Sequence, residues 1–304
     1  MLYKDEHAFE IAVMPEPQIL FLYSQLREGD ELFDMAAKRQ SVKLCRSKLS
    51  SLILDCTKGK INLKVDNKAI DDFDLVYFRN ILSDLEAAKV IIQHCLNCNI
   101  SIADPALHFT RPYIDRKSFE HIVLAQAGLP VVDTLFLSKA AFIKSNLEFP
   151  CILKISDGSQ GIGVHLVENK EEGIRVFEQH QKNLLCQKYI KNTGDFRYLV
   201  VGDRVVGAMK RESNDPTEFR NNVSLGGKVS SYQASDEEKK LAVQAAQVMG
   251  FDIAGVDIIK DGELAYILEV NRGPQLMGFC EASGIDIHDE IVSFLFDRYL
   301  SKPK

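Results

Sequence analysis

Two groups of side chains in this sequence have the types and spacing needed to handle phosphate. Lys154 precedes the run Asp157-Gly158-Ser159-Gln160-Gly161-Ile162-Gly163. Glycines so closely spaced let a backbone fold tightly over phosphate oxygens, and a lysine on the preceding strand meets them as a point charge. Read alone, the run is equally a plain β-turn. The second group is Asp257, Glu269 and Asn271. Alternate strand residues share a face, so Glu269 and Asn271 project together, and Asp257 on a partner strand reaches the same side. Two carboxylates and an amide oxygen form a hard oxygen site suited to Mg2+ or Mn2+ that bridges nucleotide phosphates. A solvated strand edge is the alternative, yet Glu269 closes an otherwise apolar run, AYILEVN, where an acid has little other reason to stand.

These residues need a scaffold, and the sequence predicts one that alternates short β-rich runs with helices. The first hundred residues read as strand 18–24, helix 31–40, strand 51–56, strand 74–80 and helix 85–98, an open α/β unit whose end is punctuated by Ala103-Asp104-Pro105. A helix over 118–128 stops at Gly128-Leu129-Pro130. Strands at 131–137, 151–156, 164–168 and 184–190 follow, with a helix at 171–180. The glycine-rich loop therefore joins two strands, whereas a Rossmann or Walker loop leads into a helix. Two hairpins turn at Gly202-Asp203 and Asp261-Gly262, separated by a helix from Asp236 that Ser235 and Glu238 start as a capping box. Antiparallel strands dominate this last part.

The chain has 304 residues, 46% hydrophobic and 26% charged, with 37 basic against 43 acidic side chains. At roughly 100–200 residues per domain this predicts two domains, or one chain split into lobes. The mild negative charge supplies no global field for gripping a polyanion, which argues against a nucleic-acid partner. The seven cysteines are odd in number and sit mostly inside apolar runs, as expected of reduced thiols in a cytoplasmic protein. No segment approaches membrane-spanning length and no secretory leader is evident, so neither a membrane partner nor secretion is expected.

Read in order, Lys117, Lys154, the 157–163 loop, QKYI at 187–190, GDFR at 194–197, FRNN at 219–222, the D-x11-E-x-N spacing and GIDI at 284–287 resemble the ATP-grasp superfamily. The likeness is greatest to its RimK-like carboxylate–amine ligases, which join glutamate or related amino acids to carboxyl groups. The resemblance implies a fold of α/β and α+β parts: an N-terminal open α/β domain over 1–108, an ATP-grasp N-lobe over 109–190 and a C-lobe over 191–304, the lobes sandwiching the nucleotide. It implies that Lys117 and Lys154 contact the α- and β-phosphates and that Gly158, Ser159, Gln160, Gly161 and Gly163 close over the triphosphate. Lys188, Tyr189 and Ile190 would read adenine through their backbone, with Asp195 near the ribose hydroxyls. Arg197, Arg211 and Arg220 would face the γ-phosphate and the acyl phosphate as catalytic guanidiniums, beside Asn221 and Asn222. Asp257, Glu269 and Asn271 would hold Mg2+ or Mn2+, two ions in all, and Arg79 would face the substrate cleft.

The sequence departs from that pattern in three places. Lys188 stands where relatives often have Glu, Asp115-Arg116-Lys117 replaces Arg-Asp-Lys, and Asn271 is followed by Arg272-Gly273-Pro274-Gln275. Arg272 is thus either a clamp for a substrate carboxylate or a surface residue. The expected reaction is amide formation through an acyl phosphate with release of ADP and phosphate, on an amino acid, peptide or protein tail. A nucleotide-binding regulator without turnover and an ATP-grasp kinase of a small polyol are the alternatives; the oligomeric state is open, a homo-oligomer included. Cys95 and Cys98 beside His94 read as helix-end thiols, since no second cysteine pair or spaced histidine completes four metal ligands.

Overall fold

The computed structural model describes residues 16–58, 60–108, 116–158, 162–192, 194–214 and 227–300. Apolar runs buried on both faces build the N-terminal part. Strands β1 (Gln18–Tyr23), β2 (Lys43–Lys48), β6 (Leu75–Asn80) and β7 (Ser101–Ile102) form a parallel sheet in the order β2-β1-β6-β7, with helices α1 (Leu32–Arg39) and α2 (Leu85–Cys98) between them. QILFLY and LVYFRN at its centre are almost wholly buried, as parallel strands covered on both sides must be. The strand expected at 51–56 is instead β3 (Ile53–Thr57), which pairs antiparallel with β4 (Lys60–Val65) and β5 (Lys68–Ala69) in a separate small sheet. The place beside β1 goes to β2, whose sequence KLCRSK hides its strand character behind three cations, a composition suited to a sheet edge.

Helix α3 (Lys117–Gln126) precedes a second sheet made of β8 (Thr134–Leu137), β9 (Cys151–Lys154), β10 (Val164–Val167) and β11 (Leu184–Lys188), ordered β10-β9-β11-β8 and antiparallel throughout. Helices α4 (Lys139–Lys144) and α5 (Lys170–His180) cover it, packing Phe142, Phe177 and Leu153 into one cluster. The third sheet contains β12 (Asp195–Val201), β13 (Arg204–Glu212), β14 (Lys228–Ser231), β15 (Ile253–Asp261) and β16 (Leu264–Arg272) in the order β14-β13-β12-β15-β16. Helix α6 (Asp236–Met249), capped by the Ser235–Glu238 box, buries its alanine face on this sheet. Helices α7 (Met277–Ser283) and α8 (Ile287–Leu295) close the opposite side and reach β1 and β6 through Phe21, Phe33 and Tyr77.

By its packing α3 belongs with the third sheet rather than the second. Leu124 lies in the α6 core, Val131 bridges to Ile267, and the Ile267 N–H donates to the Pro130 carbonyl. No described helix is long and apolar enough to cross a membrane.

Candidate active site

The carboxylates stand on the β15–β16 hairpin. Its turn is Gly262-Glu263, with Asp261 paired to Leu264, one residue beyond the Asp-Gly turn read from sequence. Had Asp261-Gly262 been the turn, Asp257 would face Tyr266. The later turn and a bulge at Leu268 shift the register so that Asp257 lies opposite Glu269 and Gly255 opposite Asn271. The expectation that these three share one side is met, and all three line a single cavity of about 610 Å3. Two carboxylates and a carboxamide on adjacent strands fit a hard divalent cation.

Cations crowd the same wall. Arg197, register partner of Asp257 on β12, donates Nε to Oδ1 at 2.5 Å and Nη2 to Oδ2 at 2.6 Å. Arg211 donates Nη2 to Asp257 Oδ2 at 2.9 Å and Nε to Asp195 Oδ1 at 2.6 Å. Burial works against the charge on Arg211, but Asp257 and Asp195 outweigh it and hold the guanidinium firmly protonated. Asp195, the acid expected near the ribose, lines the cavity and also anchors Arg211. Lys117, at the start of α3, meets Glu269 directly. Burial would push the Glu269 carboxyl up, but Lys117, with a 2.8 Å bond from Asn271, holds it well below the usual carboxylate range.

Lys154 ends β9 beneath these groups. Burial and the neighbouring Lys117 lower its ammonium to about 8. Beyond it the chain turns through Gly158 and Gly163 into β10, and the Ile155 N–H closes the hairpin on the Gly163 carbonyl at 3.1 Å. Gly163 has φ +72° and a Cβ there would strike Ile155, so this corner needs glycine. Asp157 is pinned by Lys182 at 2.9 Å and Arg116 at 3.2 Å. Val132, Ile152, Ile190, Ile259 and Leu268 give the cavity an apolar slot beside Lys188 and Tyr189. The Lys188 N–H is donated to the Asp133 carbonyl, and its ammonium faces Asp261 at 3.7 Å.

Ser159, Gln160, Gly161, Arg220, Asn221 and Asn222 lie outside the described residues. Lys117, Lys154, Gly158, Lys188, Tyr189, Ile190, Asp195, Arg197, Arg211, Asp257, Glu269 and Asn271 all line the one cavity. Of the two candidate substrate arginines, Arg272 lines the cavity and Arg79 does not. Arg79 is 1% exposed and is not among the lining residues; its Nε donates to Asp30 at 2.9 Å and its Nη2 to the Pro274 carbonyl at 2.8 Å. Arg272 is neither a free clamp nor a surface residue. Its side chain is 7% exposed and its Nη1 donates to the Phe78 carbonyl at 2.5 Å and to Asp104 at 3.0 Å. From the N-terminal part, Arg27 also lines the cleft and donates to the Gly273 carbonyl. Burial and Arg79 lower its guanidinium to about 10. Nothing local marks Arg27 in the sequence, because only the fold brings it to Gly273.

Three more polar groups escaped sequence reading. Glu120, one turn after Lys117 on α3, accepts the Val270 N–H at 2.7 Å and so holds the strand between Glu269 and Asn271. Burial and the nearby Glu269 raise its carboxyl to about 8. His121 joins the Lys117 carbonyl to Gln187 Nε2, and burial lowers its imidazole to about 4, which keeps it neutral. Gln187, locked this way and by Thr134 at 2.7 Å, lines the cavity.

Comparison with known proteins agrees with this geometry. The model of the RimK-like ATP-grasp domain matches residues 115–295. A probable alpha-L-glutamate ligase 2 of Shewanella denitrificans is 31% identical over 294 residues, covering 94% of each chain. A probable alpha-L-glutamate ligase of Vibrio cholerae is 36% identical over 266 residues, 82% of this chain and 87% of the relative. Among solved structures, the ATP-grasp ligase PsnB complexed with minimal precursor, Mg and ADP superposes with a TM-score of 0.72 at 19% identity over 92% of this chain and 96% of that one. D-alanine–D-alanine ligase from Bacillus anthracis gives 0.60 at 14% identity over 93% and 97%.

Proposed function

Because the chain belongs to the RimK-like ATP-grasp family and is thereby an ATP-dependent carboxylate–amine ligase, we propose that it couples glutamate or a close analogue to an amino acid or peptide in the cytoplasm. The carrying observation is the convergence of Lys117, Lys154, Arg197 and Arg211 with Asp257, Glu269 and Asn271 on one cavity. A 610 Å3 space lined by both apolar side chains and opposed charges suits a nucleotide. We take 1–108, 109–190 and 191–304 as the working units, each holding one principal sheet, with α3 reaching across to the third.

Adenine fits the slot of Val132, Ile152, Ile259 and Leu268, edged by the backbone of Tyr189 and Ile190. Lys154 and Lys117 would meet the phosphates, with Asp157 and Gly158 lining the same cavity. Asp257, Glu269 and Asn271 would hold two ions, Mg2+ or Mn2+. Such ions neutralise phosphate charge as the phosphoryl group transfers. A substrate carboxylate oxygen attacks the γ-phosphorus and ADP leaves, giving an acyl phosphate. Arg197 and Arg211, already oriented by Asp257 and Asp195, stabilise the oxygens that gain charge. The deprotonated amine then attacks the acyl carbon and phosphate departs. Arg27 is the guanidinium placed to receive a carboxylate of the incoming substrate.

Incubation with Mg·ATP, glutamate and pools of amino acids or peptides tests the reading. ADP and phosphate should appear only with a competent pair, and hydroxylamine should trap the acyl phosphate as a hydroxamate. Release of AMP, or a phosphorylated product stable to hydroxylamine, contradicts it.

A further inference from the structure

Helix α2 carries His94 and Cys98 one turn apart, and residues four apart share a helix face. Cys95, which makes the tempting Cys-x-x-Cys pair with Cys98, is fully buried in the core beneath α2 and closed to solvent. The third partner comes from the short helical segment Ile70–Asp72, which packs on α2. Asp71 Oδ1 lies 2.7 Å from His94 Nε2, and Cys98 Sγ lies 3.7 Å from the same nitrogen. Among the described residues this trio of His, Cys and acidic side chains brings one ligand atom each within 4.8 Å of the others. None of the three lines the cleft.

We propose that Asp71, His94 and Cys98 form a Zn2+ site, with water as the fourth ligand. Zinc–ligand bonds of about 2.0 Å to nitrogen or oxygen and 2.3 Å to sulfur place tetrahedral neighbours about 3.3 Å apart, or about 3.5 Å where one is sulfur. The His94–Cys98 separation already matches, and the His94–Asp71 contact needs only to open by about 0.6 Å. His94 is 10% exposed at the side chain and is held by its surroundings, while Asp71 and Cys98 reach solvent and leave a path for the ion. A thiolate and an imidazole select zinc over magnesium, the reverse of the all-oxygen set at Asp257, Glu269 and Asn271. Binding displaces the Cys98 thiol proton to solvent and staples the last turn of α2 to the segment that leads into β6.

Cobalt titration of the full-length, tag-free, reduced protein, with Mg·ADP filling the cleft, is the test. A thiolate-to-cobalt charge-transfer band should saturate at about one equivalent and disappear in Cys98→Ser. Asp71→Asn and His94→Gln should weaken it by more than about tenfold, while Asp257→Asn should leave it intact. Zinc should bleach the band, raise the melting midpoint of the wild-type protein alone, and shield Cys98 from iodoacetamide as read by peptide mass. A band that survives Cys98→Ser, the absence of any such band, or alkylation of Cys98 at the same rate with and without zinc overturns the site.

Discussion

Arg197 and Asp257 face each other across β12 and β15 and meet fork to fork, with Arg211 adding a third bond to the same carboxylate. One acid therefore holds two guanidiniums that would repel each other without it. Asp257→Ala should cost about 3–5 kcal/mol in urea unfolding of the nucleotide-free protein, because it strands buried charge. A loss below about 1 kcal/mol would show that the pairs are loose.

Asp195 tests positioning against ribose binding. If its work is to orient Arg211, Asp195→Asn lowers kcat about 10–100-fold and leaves KM for ATP nearly unchanged. A raised KM for ATP at constant kcat would instead assign the carboxylate to the sugar.

Much of this site was legible because its chemistry is written locally. Lys154 and its glycines, and the Asp257–Glu269–Asn271 set, depend on strand alternation and hairpins that sequence displays. What escaped depends on register and distance. The turn at Gly262-Glu263 and the bulge at Leu268 shift the register in the same direction, so the turn read one residue early would have paired Asp257 with Tyr266 instead of Glu269. Arg79, expected at the cleft by resemblance, is buried on Asp30, and Arg272, which does line the cleft, is held by Asp104, both acids coming from distant parts of the chain. Glu120 looks like an ordinary helical acid until α3 docks on β16.

Glu120 makes stability depend on pH. Its folded-state value of about 8 lies above the ordinary 4.5, so the folded protein keeps a proton that the unfolded chain releases between these values. That contribution is complete below pH 4.5 and is lost as pH rises through about 8. Glu120→Gln stays neutral and can still accept from the Val270 N–H. From pH 5 to 8 the wild-type protein should lose more than about 2 kcal/mol relative to the variant in urea unfolding, at up to about 1.4 kcal/mol per pH unit. Parallel pH profiles would refute this.

Gly273 separates strain from collision. It has φ +72°, and a Cβ there would lie 2.4 Å from the Arg79 carbonyl oxygen. Gly262, at φ +62°, has nothing within 4 Å. Gly273→Ala should therefore destabilise by about 2 kcal/mol or more, against about 1 kcal/mol for Gly262→Ala, both read by chemical denaturation. Equal losses would mean that the turn yields.

The contact at Gly273 is reciprocal. Arg27 and Arg79 donate to the carbonyls of Gly273 and Pro274, and Arg272 donates back to the Phe78 carbonyl and Asp104. The first hundred residues are therefore not an interchangeable cassette. A chimera that imports this part from a relative with a crossover near residue 108 would mismatch three arginines and their acceptors at once, directly beside Asn271. Recombination that preserves turnover must carry the 271–275 turn along with the N-terminal sheet, so the two segments have to be exchanged together although more than 160 residues of chain, from 109 to 270, separate them.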